Sequence, residues 1–445
     1  MRLRIPLLAV VGALALCGLG ASAASASTTR YVSTSGTDNA TCDSANPCRT
    51  VQHAVSIAGP GDTVRIAAGT YTEQVLIPKN LTVLGAGIDS TTIKGPDVKT
   101  FDAFGKTYIV ETTSGATVNV AGLTVSGPSG PGGGLDCAPN SLSLDMGVAV
   151  VNNSTLNMFN AAVRKIYDID PVGAKNSGCQ RGDAVSIGKP GGIGVPLTTG
   201  HANLAGVVVN DYQKDGVAAR TAGTTLNQAY TQVVNQPSSV IASNGIEVLD
   251  GAAGQVRRNS VTGNECNLAV YCGPDPFNNT EASGILSFAA DPSTTIAENQ
   301  VSANDMGVYT DDGIRIADNQ INDNRATGIY VDTDATKLHA TQNTTNRDGY
   351  YGIAIGPAFP PDFPTPNPGG NFFIGNTAFG NTKYDLYQSP GSGPNVNRNN
   401  RCATAFPSRT YWDCRSNGGG ERDDSPGGGP RHGHHGDGGP ANRND

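Results

Sequence analysis

The chain has 445 residues, of which 58 are glycine and only 15% are charged, and its formal net charge at pH 7 is −8. This composition is too apolar for a disordered chain, and the glycines lack the strict triplet period of collagen. Because an acidic protein repels phosphate backbones, the charge argues against a nucleic-acid partner.

The first 26 residues have the pattern of an export signal. Arg2 and Arg4 precede an apolar run over residues 5–19, and small-x-small cleavage patterns follow it. We expect cleavage near Ala26, which leaves 28 cationic and 38 acidic side chains, a net charge of −10. No later stretch is apolar enough to cross a bilayer, so the mature protein is predicted to be secreted or extracellular, without membrane contact. An uncleaved membrane anchor is the alternative.

Eight cysteines remain after this cleavage, an even number that favours disulfides in an exported chain. A zinc site is a poor alternative because the chain has no C-x-x-C pair. Order along the chain predicts the pairs Cys42–Cys48, Cys137–Cys179, Cys266–Cys272 and Cys402–Cys414.

The mature chain begins with one short helical pattern and continues as strands. Val51, Ala54, Val55 and Ala58 share one helical face, and Gly59 follows them, which predicts a short helix. Downstream, short alternating runs are separated by turns, as expected for β-strands. These runs lack the intervening helical patterns that βαβ units need.

An asparagine-centred phrase recurs in the second half of the chain. Clear copies centre on Asn259, Asn299 and Asn319, and fainter copies centre on Asn343 and Asn376. A period of about 20–25 residues indicates a solenoid, whose turns bury their apolar side chains only against one another. We predict that each asparagine occupies the left-handed position of a sharp turn, and that stacked copies hydrogen-bond along the coil axis.

The predicted fold class is therefore all-β: a single-stranded, right-handed parallel β-helix solenoid with a short N-terminal capping helix. The β-helix domain is expected over residues 27–415, with roughly eleven or twelve turns. Insertions are expected on one face as binding loops. Residues 416–445 are rich in Gly, Pro and His and are predicted to form a disordered tail.

The chain resembles the secreted pectin-lyase-like superfamily of right-handed parallel β-helix proteins. The resemblance rests on residues 61–64, which read GDTV, on residues 69–73, which read GTYTE, on residues 81–87, which read LTVLGAG, and on the asparagine phrase. It covers about residues 30–400. It implies the fold and a polysaccharide or cell-surface glycan as the partner, because its members include pectate lyases, polygalacturonases, pectin methylesterases and alginate-modifying enzymes.

The catalytic patterns of two of these groups do not match. The resemblance to pectin methylesterases extends only to a loose glutamine–aspartate match at Gln213 and Asp215, without the later D-F-I-F-G type motif. The polygalacturonase pattern is echoed by Asp311-Asp312-Gly313 and by residues 314–316. These two segments are adjacent, and the Gly-His dipeptide precedes them in the chain. The motifs therefore do not occur in the order of the polygalacturonase pattern.

Stacked acids give the best catalytic candidate. Aligning Gly307 with Gly328 places Asp311 one turn from Asp332. A polysaccharide lyase would need carboxylates that hold Ca²⁺ against a uronate and a cation or imidazole that removes a proton. Solvated turn aspartates are the alternative interpretation. The candidate catalytic residues are Asp311, Asp332 and Arg315, and the candidate calcium ligands are Asp311, Asp312, Asp332 and Asp334.

A second charged group lies upstream. It comprises Arg181, Asp183, Lys189, His201, Asp211, Lys214, Asp215 and Arg220, with solvated loop charges as the alternative interpretation. Three functions stay open: a carbohydrate-interacting protein without proven catalysis, a polysaccharide lyase or hydrolase acting on an acidic glycan, and a structural or adhesive surface rod. Calcium is the one candidate cofactor, and the oligomeric state is left open.

Overall fold

A computed structural model describes residues 27–102, 105–128, 144–167, 180–189, 197–236, 241–266, 282–332, 335–356, 369–390 and 392–415. The predicted signal peptide and the predicted tail lie outside these residues. No helix in the described ranges is long and apolar enough to cross a membrane.

Successive strands visit three parallel sheets in turn, so that the backbone winds into a coil. Sheet A comprises β1 (Thr29–Val32), β2 (Thr63–Ile66), β5 (Leu81–Leu84), β8 (Thr117–Ala121), β11 (Ser154–Phe159), β14 (Gly200–Ala205), β17 (Thr225–Ala229), β20 (Ala253–Arg257), β23 (Thr295–Ala297), β26 (Arg315–Ala317), β29 (His339–Thr341), β32 (Phe372–Ile374) and β35 (Val396–Arg398).

Sheet B follows sheet A in each turn. It comprises β3 (Gly69–Thr72), β6 (Thr91–Lys94), β9 (Thr124–Ser126), β12 (Ala162–Ile166), β15 (Val208–Tyr212), β18 (Gln232–Val234), β21 (Ser260–Thr262), β24 (Gln300–Ser302), β27 (Gln320–Asn322), β30 (Thr344–Asn346), β33 (Thr377–Phe379), β36 (Asn400–Cys402) and β38 (Cys414–Arg415).

Sheet C completes each turn. It comprises β4 (Val75–Ile77), β7 (Tyr108–Thr112), β10 (Met146–Val150), β13 (Asp183–Ile187), β16 (Asp215–Arg220), β19 (Asn244–Leu249), β22 (Ser283–Phe288), β25 (Met306–Thr310), β28 (Thr327–Val331), β31 (Tyr351–Ile355), β34 (Tyr384–Gln388) and β37 (Ala405–Phe406). The fold is the right-handed parallel β-helix that the sequence predicted.

The asparagine phrase forms a continuous buried ladder between sheets A and B. The Nδ2 atom of Asn259 donates to Oδ1 of Asn299 at 3.0 Å, and Asn299 donates in the same way to Asn319 at 2.9 Å. The chain of amide bonds continues through Asn343 and Asn376. The predicted stacking is therefore confirmed.

The predicted backbone conformation of these asparagines is wrong. The left-handed residue is the one that precedes each ladder asparagine, as at Arg258 (φ 56°), Glu298 (φ 58°) and Asp318 (φ 58°). The turn bends at that exposed residue, which leaves the asparagine side chain free to point inward. Its amide can then bond both the neighbouring asparagine and a backbone carbonyl, such as that of Val256 for Asn299.

A second buried ladder lies between sheets B and C. Asn264 donates to Asn304, and Asn304 donates to Asn324 at 3.1 Å. A column of glycines in sheet C makes room for it. A Cβ atom on Gly307 would lie 2.3 Å from the Ile321 side chain and 3.0 Å from the amide nitrogen of Asn324. The recurring glycines in the sequence are thus explained by close packing.

Replacement of Gly307 by alanine is expected to lower the free energy of unfolding by about 1–3 kcal/mol, because the added methyl group has no space in the core. Chemical denaturation measures this change. Gly59→Ala is the matched control, because a Cβ there would meet Asp62 no closer than 3.6 Å. Equal losses for the two variants would contradict the packing argument.

Both ends of the described coil are covered. Helix α1 (Val51–Ile57) buries Val51, Ala54 and Val55, and the Thr50 side chain accepts a hydrogen bond from the His53 backbone N–H, as a helix N-cap does. At the other end, the Trp412 ring is fully buried and packs edge-on against Phe373, with ring centroids 5.4 Å apart. The predicted capping helix is confirmed.

Two predicted disulfides are confirmed, Cys42–Cys48 and Cys402–Cys414. Cys266 is also disulfide-bonded, whereas its predicted partner Cys272 lies outside the described residues. The predicted pair Cys137–Cys179 lies entirely outside them.

Candidate functional site

Several long connections of the chain adjoin sheet C, whereas residues 33–62 join strands β1 and β2 of sheet A. Residues 127–145, 167–182 and 263–282 lead into strands β10, β13 and β22, and residues 356–371 leave strand β31. Most connections from sheet A to sheet B contain only two residues. Most residues of these connections lie outside the described ranges, so the gathering of insertions on one face stays a prediction. Their attachment points direct attention to the outer surface of sheet C.

The middle of that surface carries three carboxylates around one arginine. The Arg220 guanidinium donates through Nη1 to Asp183 (2.6 Å) and through Nη2 to Asp215 (2.5 Å) and Glu247 (2.9 Å). Strand register explains the grouping, because Asp215 pairs with Asn244 in the next strand and Ala218 pairs with Glu247. We call Asp183, Asp215, Arg220, Asn244 and Glu247 the acid–arginine cluster.

The amide of Asn244 ties two of the carboxylates together. Its Nδ2 atom lies 2.6 Å from Oε1 of Glu247 and 3.4 Å from Oδ1 of Asp215. Its Oδ1 atom accepts the Ser283 backbone N–H at 3.1 Å, which fixes the orientation of the amide. Asp215 and Glu247 therefore share two donors, Arg220 Nη2 and Asn244 Nδ2.

Burial makes this pair of carboxyls unusual. The side chains of Asp215 and Glu247 are 0% and 3% exposed, and that of Arg220 is 17% exposed. Burial, together with the negative charges of Glu247 and Asp183, raises the pKa of Asp215 well above its usual range. Asp215 can thus keep a proton beside the Glu247 carboxyl group, an arrangement suited to acid–base chemistry.

Aromatic side chains occupy the C-terminal part of the same surface. Register places Tyr309, Tyr330, Tyr387 and Phe406 in the column that contains Glu247. Tyr309 and Tyr330 are buried, whereas Tyr387 and Phe406 are half-buried. The rings of Tyr387 and Phe406 stack with centroids 5.6 Å apart, and those of Tyr309 and Tyr330 lie 5.3 Å apart. The outer surface of sheet C thus changes from acidic to aromatic along the coil.

The predicted aspartates lie where sheet C turns toward sheet A. The register predicted for Asp311 and Asp332 is confirmed, since Thr310 pairs with Val331 immediately before them. The Oδ1 atom of Asp311 accepts the Ala289 N–H at 2.9 Å. The Asp332 carboxylate accepts the Tyr309 hydroxyl at 2.5 Å.

Asp312 also holds the preceding turn. Its carboxylate accepts the Ala290 N–H at 3.0 Å and the Ser287 hydroxyl at 2.7 Å. Arg315 is level with Thr295 and His339, as predicted. Its exposed guanidinium lies 4.0 Å from Asp318.

The carboxylates of Asp311, Asp312 and Asp332 thus each accept hydrogen bonds from groups in the preceding turn of the coil. Asp334 lies outside the described residues. The catalytic and calcium-binding roles of these residues stay predictions.

Three of the residues in the second predicted group, Asp183, Asp215 and Arg220, come together in the cluster. The other residues of that predicted group do not belong to the acid–arginine cluster. His201 is on the outer surface of sheet A, where its ring bonds Thr225 and Asn153.

Sequence analysis missed Glu247 and Asn244. The signal that could have found them is the in-phase glycine of strand β19: aligning Gly216 with Gly245 places Asp215 beside Asn244.

Buried acids give the protein a predictable pH dependence. Burial raises the pKa values of Glu111, Asp305 and Asp311 to about 7 from ordinary values near 4. A carboxyl group with a raised pKa contributes stability that is complete below its unfolded-state pKa and is lost as the pH rises through about 7.

We expect the melting temperature to fall by a few degrees between about pH 5 and pH 8. Thermal melts followed by circular dichroism measure this, and Asp311→Asn should flatten the profile. A melting temperature that rises over this interval would contradict the burial of these acids.

Comparison with known proteins supports the fold. Residues 192–357 match the family described as right handed beta helix region, and residues 34–161 match a protein of unknown function, DUF1565. A search of curated proteins finds no match.

Solved structures with similar coils include three carbohydrate-active enzymes. A GH136 lacto-N-biosidase from Eubacterium ramulus has a TM-score of 0.53 and 15% identity, covering 84% of this chain and 67% of that one. The periplasmic alginate epimerase AlgG has a TM-score of 0.45 and 11% identity, covering 76% and 77%. The pectate lyase Pel9A has a TM-score of 0.38 and 13% identity, covering 86% and 79%. The chain thus has the fold of a right-handed parallel β-helix protein.

Proposed function

We propose that the protein binds a glycan along the outer surface of sheet C. The observation that carries the proposal is the combination, on one surface, of the acid–arginine cluster with the stacked, half-buried rings of Tyr387 and Phe406. Carbohydrate sites combine aromatic rings, which cover the apolar faces of sugars, with a few fixed polar groups that bond their hydroxyls.

The charge of the cluster bears on the kind of glycan. Arg220 already pairs with three carboxylates, so the cluster has no surplus positive charge to offer a uronate. A uronate chain would therefore need a bridging cation to bind here. An uncharged glycan fits this surface better than an acidic one.

The location of the protein follows from the same proposal. The described disulfides fit an oxidising compartment, in which such bonds form and persist. Together with the export signal read from residues 1–26, they support a secreted or extracellular glycan-binding protein.

Affinity electrophoresis of the intact protein tests glycan binding. We expect retardation in gels that contain soluble neutral polysaccharides and little or none in gels that contain alginate or polygalacturonate. The variant Arg220→Lys keeps a cation but loses the forked contacts, so it should weaken the retardation several-fold. Equal migration in every gel would leave the rod-like structural role and refute the proposal.

Cleavage of the glycan is a second candidate function. It is favoured by the two carboxyls, Asp215 and Glu247, that share Arg220 Nη2 and Asn244 Nδ2. Glycoside hydrolases use such a pair, with one carboxyl as the acid and the other as the base or nucleophile. Release of reducing ends from a bound glycan, abolished in Glu247→Gln while binding persists, would support hydrolysis.

The lyase alternative predicts a different product. Ca²⁺-dependent formation of an unsaturated product from alginate or polygalacturonate, lost in Asp311→Asn, would assign the chemistry to Asp311, Asp332 and Arg315 instead. That result would also overturn the preference for an uncharged glycan.

A further inference from the structure

The outer surface of sheet A carries a third asparagine ladder, and this one is open to solvent. Asn157 donates to Asn119 (2.9 Å), Asn203 donates to Asn157 (2.7 Å), and Asn227 donates to Asn203 (2.9 Å). These four residues are paired in register across strands β8, β11, β14 and β17. They are partly or fully exposed, in contrast to the buried ladders of the core.

Each amide of this ladder keeps hydrogen-bonding capacity for a partner outside the protein. An asparagine side chain has two N–H donors and an oxygen that accepts two bonds. An interior member of the ladder, Asn157 or Asn203, uses one donor and one acceptor position within the ladder. One donor and one acceptor position per residue therefore remain, repeated at the strand spacing of about 4.8 Å.

The four strands that carry the ladder are free of charged side chains. Their segments, residues 117–121, 155–159, 201–205 and 225–229, contain no Asp, Glu, Lys or Arg, although the whole chain has 68 such residues. The ladder is flanked on one side by Thr117, Thr155, His201 and Thr225. Most connections from sheet A to sheet B contain only two residues, so that side of the ladder carries no long insertion.

We propose that this surface, the outward side chains of strands β8, β11, β14 and β17, binds an uncharged β-1,4-linked polysaccharide whose chain lies along the coil axis. Its occupant must be uncharged because the surface offers no counter-charge, and it must repeat because the amides repeat. A β-1,4-linked chain is extended and repeats its hydroxyl groups along its length, as the amides repeat from strand to strand. The surface is distinct from the site on sheet C, and its role would be attachment to an insoluble polymer.

Pull-down of the full chain on microcrystalline cellulose and on chitin tests this inference. We expect retention of the wild type, and a fall of about fivefold or more for the double variant Asn157→Thr, Asn203→Thr, which corresponds to the loss of one or two hydrogen bonds. Threonine suits a strand, so the fold should persist; circular dichroism and the melting temperature check this.

The matched control is Gln300→Thr, Gln320→Thr, which changes two exposed, in-register side chains on the outer surface of sheet B. It should be retained like the wild type. Arg220→Lys should also be retained, which separates this surface from the site on sheet C. No retention of the wild type on either polymer, or equal loss in both double variants, would overturn the proposal. So would inhibition of ice growth by a protein that neither polymer retains.

Discussion

Replacement of Arg220 by methionine is expected to lower the free energy of unfolding by about 3–5 kcal/mol. The substitution leaves the carboxylates of Asp183, Asp215 and Glu247 without their common partner in a buried setting. Buried charges that lose their partner cost far more than exposed ones. Urea denaturation followed by circular dichroism measures the loss, which should be larger at pH 8 than at pH 5 because protonation relieves the repulsion.

The matched control is Arg347→Met. Arg347 contacts Asp323 at 2.6 Å, but both side chains are more than half exposed. Exposed ion pairs contribute little to stability, so this variant should unfold almost like the wild type. If the two variants lost similar amounts of unfolding free energy, the acid–arginine cluster would be solvated. That result would argue against its being a functional site.

Replacement of Asn299 by leucine is expected to cost about 3–5 kcal/mol, because several buried groups lose their partners together. The Asn299 oxygen accepts both the backbone N–H and the side-chain amide of Asn259. Its nitrogen donates to Asn319 and to the carbonyl of Val256. Leucine fills the space but satisfies none of these groups. Chemical denaturation measures the change.

Asn227→Leu is the control for the buried ladder. Asn227 makes an amide bond of the same length, 2.9 Å to Asn203, but its side chain is exposed. Water can replace that bond, so the loss should stay below about 1 kcal/mol. If both variants lost the same free energy, burial of the ladder would not be the source of its contribution.

The sequence predicted the coil because its stabilising elements recur in phase. Asn259, Asn299 and Asn319 stand at one position of successive turns, so their spacing alone showed that they stack. The same pattern could not show which residue bends the chain. The left-handed position falls on Arg258, Glu298 and Asp318, which differ in type and therefore leave no recurring signal.

The acid–arginine cluster was only partly predictable. Asp215 and Arg220 lie five positions apart in one strand, and their charge drew attention. Asp183 and Glu247 are 37 and 27 positions from Arg220 in the sequence. The connections between turns vary in length, so the register that joins them depends on which residues are inserted. Burial, which gives the group its chemical character, depends on packing that composition does not encode.

A crystal structure of the protein with a neutral oligosaccharide that retards it in affinity gels tests glycan binding at sheet C most directly. We predict sugar density over the outer surface of sheet C, with hydroxyl groups within hydrogen-bond distance of the acid–arginine cluster and a sugar ring against Tyr387 or Phe406. Density confined to sheet A or sheet B, with the surface of sheet C unchanged, would contradict it.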